Sequence, residues 1–216
     1  LNEFCRQKFI AAGLPADRIV VKPNFTAPVP PTRADARREP QFLFVGRLSP
    51  EKGIASLEAA LAQSPGVQLH VVGRGPEAAR LASLAACRLL GELPRAGVVE
   101  EMQSATALVV PSIWYETFGL VVIEAFANGL PVIASRMGAL AELVDDGKTG
   151  LLFRAGDAAD LAQKLAWAQG HPDEMAQMGK AARECHEARF TPASNLSQLL
   201  SIYADAIDSR GHPRHS

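Results

Sequence analysis

Two carboxylates with seven residues between them, Glu116 and Glu124, are the groups in this sequence best placed to do chemistry. Glu116 follows a short apolar run that ends at Pro111, and Glu124 lies inside the apolar segment from Gly119 to Asn128. The first segment predicts a buried strand and the second a helix, so Glu116 should lie at a strand's carboxyl end and Glu124 about one turn into the helix. A carboxylate among apolar neighbours is costly to bury unless donors satisfy it, and the paired hydroxyls of a ribose are suitable donors. The pair therefore predicts a site for a hydroxyl-rich ligand such as a sugar nucleotide.

The backbone between the two carboxylates offers further donors. Because the predicted helix begins near Gly119, the N–H groups of Phe118, Gly119 and Leu120 have no acceptor within that helix. Such groups favour an anion or a hydroxyl-rich ligand, and a glycine lets the ligand come close. The alternative is that Glu116 is an ordinary loop carboxylate and that Glu124 is simply favoured by the helix dipole.

A group of cations follows the strongest strand prediction. The segment from Gly46 to Gly53, GRLSPEKG, carries Arg47 and Lys52 just before a predicted helix. The two cations can neutralise a diphosphate, and Gly46 allows close approach of the backbone. The segment is not a Walker A loop, because Lys52 precedes the second glycine and no GK[ST] occurs. The alternative is a solvated turn whose cations bind nothing.

The segment from Gly73 to Ala78, GRGPEA, matches the G-x-G-x-x-G/A dinucleotide fingerprint. The strand before it looks like the second strand of a sheet rather than the first. We therefore favour a tight strand-to-helix turn near a nucleotide bound elsewhere, with Arg74 as a minor contact. An NAD-type site stays the alternative.

Nothing in the sequence indicates a metal site or a general base. Asp145 and Asp146 precede Gly-Lys and predict a solvated turn after a helix. The five histidines form no HExxH motif and no i, i+4 pair, and His186 is predicted to lie on a helix surface. We expect no metal ion and no other cofactor.

The net charge and the cysteine spacing indicate which partners and which cellular compartment to expect. The formal net charge is −1 with both signs interspersed, so we do not expect nucleic acid as a partner. Cys5, Cys87 and Cys185 lie far apart with no CxxC pair, which predicts free thiols in a reducing compartment, the cytoplasm. No apolar run is long enough to cross a bilayer.

The elements that must position these residues alternate along the chain. Apolar runs predict strands at residues 42–45, 67–72, 88–90, 107–110, 131–134 and 150–153. Helical patterns fall near residues 53–63, 76–86, 95–104, 119–128, 139–144, 157–168, 173–188 and 193–208. This alternation predicts an α/β fold with a doubly wound, Rossmann-like parallel sheet, whose ligands bind at the carboxyl ends of the strands.

A separate unit is predicted before the sheet. Residues 2–12 predict a helix that stops at Gly13, and residues 19–22 predict a short strand. The proline-rich segment 26–40 predicts an extended linker. The predicted organisation is the end of one domain with its linker over 1–40, a ligand-binding domain over 41–190, and a C-terminal helix and tail over 191–216.

Five motifs occur in this order: GRLSPEKG, VVGRGP, LLGEL, VVPSIWYETFGLVVIEAFANGLPVIAS and DDGKTGLLF. Their order and approximate spacing resemble the C-terminal, donor-binding domain of GT-B-type retaining glycosyltransferases of the fourth family, the glycosyl transferases group 1. The resemblance covers roughly residues 42–190, and the spaced glutamates are its most specific element. Residues 1–25 resemble the last helix and strand of the family's N-terminal acceptor domain.

The resemblance implies a role for each motif. Arg47 and Lys52 would hold the donor diphosphate, Glu116 would contact hydroxyls of the transferred sugar, and Glu124 would hold the ribose. The remaining implied contacts are the backbone at Thr117, Phe118, Gly119 and Leu120 for sugar and phosphate, and Leu90 and Gly91 for the base. The diphosphate would leave without a metal ion, its charge stabilised by the two cations and the helix N-terminus.

The implied reaction is transfer of a sugar from a nucleoside diphosphate to an acceptor sugar or glycolipid, as in the synthesis of a bacterial polysaccharide or glycolipid. Most of the acceptor domain is absent from the sequence, so we expect this chain to bind donor and to gain activity only within a longer protein. Peripheral membrane contact of that protein is left open. The alternative is a non-catalytic nucleotide-sugar-binding or regulatory module. The chain departs from the family in a short segment between Gly75 and Leu90, and at Gly138, where two glycines are common.

Overall fold

The computed structural model describes residues 1–30 and 40–211. Its strands are β1 (Gln41–Val45), β2 (Gln68–Val72), β3 (Cys87–Gly91), β4 (Ala107–Val110), β5 (Val132–Ser135) and β6 (Gly150–Phe153). They form one six-stranded sheet in the order β3-β2-β1-β4-β5-β6, with every pair parallel. The chain therefore winds outward in both directions from β1 and β4, as predicted for a doubly wound fold.

Helices cover both faces of this sheet. They are α1 (Glu3–Ala11), α2 (Ile54–Ala62), α3 (Ala78–Ala82), α4 (Arg95–Ser104), α5 (Leu120–Ala127), α6 (Gly138–Leu143), α7 (Ala158–Gly170), α8 (Pro172–Arg189) and α9 (Pro192–Gly211). Strands buried on both faces need continuous apolar runs, which explains why the sequence predicts them well. Every residue of β4, β5 and β6 is buried.

The core has two halves, one on each face of the sheet. Phe42 and Phe44 of β1 point into one half, against α2 and α7, and Leu43 points into the other, against α5. Successive side chains of a strand face opposite ways, so a single apolar strand supplies both halves. The large side chains of α5, such as Ile123 and Phe126, are fully buried. This packing fixes where α5 begins, and with it the loop that carries Glu116.

The segment before the sheet differs from its prediction. The predicted strand at residues 19–22 is wrong: this stretch pairs with no strand in the part of the chain that the structure describes. A strand needs a neighbour for its backbone groups, and here the carbonyl of Ile19 accepts instead from Arg6 Nε at 3.0 Å. The linker prediction falls partly outside the described residues, because 31–39 are not described.

The prediction that His186 lies on a helix surface is also wrong. His186 is buried, and its Nε2 lies 2.8 Å from the hydroxyl of Thr26. Burial lowers the pKa of the imidazole, and the positive charge of Arg183 adds to that effect. The residue continues the buried stripe of Met178 and Ala182 at helical spacing, so the position was readable from the sequence.

The C-terminal helix is anchored at its start. Asn195 in the first turns of α9 accepts from Lys22 Nζ at 2.9 Å and donates to the carbonyl of Pro23 at 2.7 Å. No helix within residues 1–30 and 40–211 combines the length and hydropathy that a bilayer crossing requires. The predicted tail is the last six residues, 211–216; of these the structure describes only Gly211, which belongs to α9. The three-part division of the chain stays a prediction.

Candidate functional site

The two charged loops predicted from the sequence meet at one edge of the sheet. The loop from Gly46 to Gly53 follows β1, and the loop from Pro111 to Gly119 follows β4. The two strands are parallel neighbours, with Phe42 paired with Ala107. Their carboxyl ends therefore lie side by side, where doubly wound folds bind ligands.

An ion pair joins the loops. Lys52 Nζ donates to Glu116 Oε1 at 2.6 Å, across 64 residues of sequence. Ser112 Oγ donates to the same oxygen, also at 2.6 Å. The side chains of Lys52 and Glu116 are 28% and 20% exposed, and Ser112 is buried. Charge-assisted hydrogen bonds of this kind fix a carboxylate in one orientation, and they are stronger when partly shielded from water.

Gly53 allows the loops to come this close. Its φ is 72°, in the left-handed region, and a Cβ on it would lie 1.9 Å from the carbonyl oxygen of Pro111. A second link is the hydrogen bond from Ile113 N–H to the carbonyl of Glu51, at 3.0 Å. The pairing of Lys52 with Glu116 therefore depends on a glycine at the residue after the lysine.

Arg47 is held by a second, more exposed network. Its Nε donates to Ser49 Oγ at 3.2 Å, and its guanidinium pairs with Glu51. The Ser49 hydroxyl donates to the Glu51 carboxylate at 2.7 Å. This hydroxyl, the Glu51 backbone N–H and Arg47 lower the pKa of the carboxyl to about 2. The Arg47 side chain is 70% exposed, so the cation is open to an anion from solvent.

The N-terminus of α5 presents backbone donors, as predicted from the sequence. Gly119 precedes the helix with φ 91°, and no side chain caps it. The N–H groups of Phe118, Gly119, Leu120 and Val121 donate to no acceptor within residues 1–30 and 40–211. They concentrate positive partial charge beside Lys52 and Glu116, at the same sheet edge.

Glu124 lies one turn into α5 and faces solvent, whereas its neighbours Ile123 and Ala125 turn into the core. The apolar neighbours do not bury this carboxylate, because the helical period places it on the outer side of α5. The surrounding protein still displaces enough water to raise the pKa of the carboxyl, and the charge of Arg95 offsets part of that rise. No described residue hydrogen-bonds to the carboxylate, which leaves it available as an acceptor.

The remaining predicted contacts lie farther along the same edge. Leu90 and Gly91 end β3, the outermost strand on this side, and both are partly buried. Gly91 has φ 70°, and its carbonyl accepts from Gly73 N–H at 2.7 Å. Arg74 is exposed and pairs with Glu92 at 3.3 Å. The structure thus places these residues on the same edge, beyond β2.

Loop packing accounts for both glycines of the dinucleotide-like segment. A Cβ on Gly73 would lie 1.9 Å from the carbonyl oxygen of Gly46, and one on Gly75 would lie 2.1 Å from that of Leu48. The two loops are joined by hydrogen bonds, including Leu48 N–H to the carbonyl of Arg74 at 2.8 Å. The tight-turn interpretation therefore explains the glycines without a dinucleotide.

Sequence reasoning missed two supports of the Glu116 loop. Ser112 is one, and Asn2 is the other: its Nδ2 donates to the carbonyl of Thr117 at 2.8 Å while its Oδ1 accepts from Cys5 N–H and caps α1. The ring of Phe4 packs on Tyr115 with centroids 4.7 Å apart. An asparagine at the first position of the predicted helix was a visible capping signal, but its bond to Thr117 requires the docking of α1.

The acidic pair after α6 is engaged in ion pairs rather than gathered around a ligand. Asp146 pairs with Arg136, and Asp145 lies 3.5 Å from Lys148. Within the described ranges, no group of three or more His, Cys, Asp or Glu side chains is arranged to hold a metal ion.

Comparison with known proteins identifies the family. Residues 32–185, more than half of the chain, match the family model described as "Glycosyl transferases group 1". The chain therefore belongs to the glycosyl transferases group 1 family. The resemblance inferred from the five motifs is confirmed.

Curated relatives are longer than this chain. It is 35% identical to the D-inositol 3-phosphate glycosyltransferase of Nocardia farcinica, over 95% of this chain and 51% of that protein. It is 37% identical to the phosphatidyl-myo-inositol mannosyltransferase of Mycobacterium leprae, over 77% of this chain and 47% of that protein. The chain spans about half the length of these relatives.

Solved structures with the same fold are GT-B glycosyltransferases. Anabaena HepE in complex with UDP superposes with a TM-score of 0.82 at 25% identity, over 93% of this chain and 61% of that one. Sucrose-phosphate synthase of Thermosynechococcus elongatus gives a TM-score of 0.74 at 34% identity, over 87% of this chain and 52% of that one. The predicted Rossmann-like sheet of a GT-B glycosyltransferase is therefore confirmed.

Proposed function

We propose that this chain is the donor-binding part of a retaining glycosyltransferase that uses a nucleoside-diphosphate sugar. The observation that carries the proposal is the Lys52–Glu116–Ser112 cluster beside the uncapped N-terminus of α5. A cation, an oriented carboxylate and free backbone donors at one sheet edge match the three parts of such a ligand: a diphosphate, a sugar hydroxyl and the oxygens that join them.

Glu116 is suited to a sugar hydroxyl because only one of its oxygens is used. Oε1 accepts from both Lys52 and Ser112, and no described residue donates to Oε2. An ionised carboxylate accepts only, so its free oxygen favours a hydroxyl donor. The role proposed for Glu116 is to orient the transferred sugar.

Lys52 and Arg47 would stabilise the diphosphate. An ammonium has three donors, so Lys52 can keep Glu116 and also contact a phosphate oxygen. Arg47 is exposed and offers its fork of N–H groups. Charge that develops on the leaving diphosphate would be stabilised by these cations and by α5, so no step of the proposal requires a metal ion.

Glu124, Leu90 and Gly91 would complete the nucleoside end. Glu124 has an unused carboxylate one turn beyond the α5 N-terminus and would accept from the ribose hydroxyls. Leu90 and Gly91 would line the base pocket. Support for a nucleotide ligand comes from Anabaena HepE, a structural neighbour solved in complexes with UDP and with UDP-glucose.

The acceptor would be a sugar or glycolipid held by a second, N-terminal half. The chain covers about half of each of two relatives that are named for inositol-containing molecules. Such molecules are rich in hydroxyls. Transfer by a protein that joins both halves would exclude the non-catalytic alternative.

Calorimetric titration of this chain with UDP, GDP, ADP and NAD, with and without magnesium, tests the proposal. We expect one nucleoside diphosphate to bind without magnesium. Lys52→Ala should weaken that binding about 10- to 100-fold, because a hydrogen bond to a charged group is lost. Lys148→Ala, which removes another lysine from an exposed ion pair, is the matched control. Binding of NAD alone, or of no diphosphate, would overturn the proposal.

A further inference from the structure

Trp114 is the most exposed of the large apolar side chains that the structure describes, at 70%. It lies on the loop between β4 and α5, two residues before Glu116. Ile113 and Tyr115 of the same loop are also exposed, at 43% and 51%, as is Leu120 at the start of α5, at 49%. Apolar side chains therefore surround the carboxylate, and grouped exposure of this kind marks a binding surface.

The exposure of Trp114 follows from a fixed backbone and not from a frayed loop. On one side, Ile113 N–H donates to the carbonyl of Glu51 at 3.0 Å. On the other, the ring of Tyr115 packs on Phe4 at 4.7 Å. Ser112 is buried and bonded to Glu116. With both neighbours held, the backbone at Trp114 is fixed, and the apolar area of the indole lies in water unless a ligand covers it.

The position beside Glu116 defines the chemistry of that ligand. Two Cα–Cα steps of 3.80 Å keep the Cα atoms of Trp114 and Glu116 within about 7.6 Å of each other. A pyranose ring has an apolar C–H face and a rim of hydroxyls. Indole can cover the C–H face by the hydrophobic effect while a carboxylate accepts from the rim.

We infer that Trp114 is a sugar-binding residue, whose indole covers the C–H face of the pyranose that Glu116 holds by its hydroxyls. The inference rests on the proposed function and extends it, because it adds an apolar contact that distinguishes a nucleotide sugar from the bare nucleotide. The sugar belongs to the donor or to the acceptor, and the two sources are separated experimentally.

The chain contains a convenient reporter for this contact. It has two tryptophans, and the second, Trp167, is stacked on His171 with ring centroids 4.3 Å apart. Trp167→Phe therefore leaves Trp114 as the single fluorescent indole. Its emission maximum and its quenching by acrylamide report directly whether a ligand covers the ring.

The Trp167→Phe variant would be titrated with UDP and GDP, with UDP-glucose and GDP-mannose, and with free glucose and mannose at saturating nucleoside diphosphate. We expect a blue shift and reduced quenching with a nucleotide sugar but not with its diphosphate, which assigns the contact to the donor. The same change with free sugar only would assign it to the acceptor. Both results support the inference.

Affinity gives an independent measurement. Trp114→Leu should lower the affinity for the nucleotide sugar about fivefold and leave that for the diphosphate unchanged. Tyr203→Leu, which removes an exposed aromatic ring from α9, should change neither.

Four outcomes would overturn the inference. Binding of nucleotide sugar with no change at Trp114 would refute it while the proposed function stands, whereas failure of every diphosphate to bind would refute both. A blue shift on anionic phospholipid vesicles without sugar would assign the surface to a membrane. An indole already protected, without ligand, in a protein that joins this chain to an acceptor-binding half would assign it to the other half.

Discussion

Two clusters of the site each combine a hydroxyl, a cation and a carboxylate, but one is formed within a single loop and the other between two loops. In the local cluster, Ser49 and Arg47 donate to one oxygen of Glu51. In the long-range cluster, Ser112 and Lys52 donate to one oxygen of Glu116. The local cluster spans five consecutive residues, whereas the long-range cluster forms only when β1 and β4 bring two loops together.

In the proposed function, the local cluster attracts an anion, and the long-range cluster orients the substrate. Arg47 is 70% exposed, and an exposed ion pair contributes little to stability, so the local cluster can exchange its partner for a phosphate at small cost. The long-range cluster is partly shielded from water, and its geometry depends on the packing of the sheet that brings the two loops together. We therefore expect changes in the long-range cluster to have the larger consequences.

The largest effect is expected from Glu116→Gln in a protein that joins this chain to an acceptor-binding half. The amide cannot keep the charge that Lys52 and Ser112 hold, and kcat/KM for sugar transfer should fall about 10²- to 10³-fold. Glu51→Gln, the matched change in the local cluster, should cost less than about tenfold. Steady-state kinetics with the nucleotide sugar that binds, and thermal melts of both variants, would measure this. Equal losses would remove the distinction between the clusters.

Gly53→Ala should destabilise the fold by about 3 kcal/mol, because the added methyl meets the Pro111 carbonyl in a left-handed backbone conformation. Gly147→Ala is the control: φ is 79°, but nothing lies within 4 Å of the added methyl. That variant should lose only about 1–2 kcal/mol. Urea unfolding followed by circular dichroism measures both free energies. Similar losses of unfolding free energy in the two variants would mean that the two loops move apart at little cost to make room for the methyl group.

Ser112→Ala should lower the free energy of unfolding by about 1.5–3 kcal/mol, since a buried hydrogen bond to a charged carboxylate is lost. Ser49→Ala removes the equivalent bond in the local cluster, where the hydroxyl is buried but the Glu51 side chain is 35% exposed, and should lose only about 1 kcal/mol. The same urea titrations give both numbers. A larger loss at Ser49 would reverse the assignment of the structural role.

The smallest effect is expected in the pH dependence of stability. The folded-state pKa of Glu51 is about 2, below the ordinary 4.5, so this residue contributes stability above pH 4.5 that is lost as the pH falls toward 2. Glu51→Gln should flatten the stability curve in that window, measured by melts between pH 2 and pH 5.

Glu124→Gln should change the pH dependence of stability in the opposite direction. Burial raises the pKa of Glu124, so its charged form is a slight penalty that appears as the pH rises above 4.5 through the raised pKa. The variant should gain stability relative to the parent chain as the pH rises toward neutrality, by less than about 0.5 kcal/mol. Loss of stability at neutral pH would contradict the sign.

The elements of this fold were predictable because each helix and strand has its own sequence period. The bounds of β4 and β6 agree with the apolar runs residue for residue. The strand predicted at residues 19–22 failed because β structure depends on a neighbour, which no local pattern reveals. His186 was misplaced through its polarity, although the spacing of α8 put it on the buried face.

The site was predictable in its components but not in its contacts. The sequence placed Lys52 and Glu116 at the same sheet edge, yet their ion pair depends on the register of two parallel strands and on Gly53. No sequence pattern indicated the roles of Ser112 and Asn2, because the role of a single hydroxyl or amide depends on the residues that it contacts in the fold.

The glycines packed against carbonyl oxygens have a consequence for how the ligand choice of the proposed donor site can change. Gly53, Gly73 and Gly75 each face backbone that a side chain at those positions would strike. In the proposed donor site, the walls on the phosphate side are therefore made of main chain, whose shape is scarcely altered by mutation. New donor specificity, whether reached by evolution or by engineering, has to enter through the few variable side chains around the sugar and base, with Trp114 and Leu90 as the first positions to randomise.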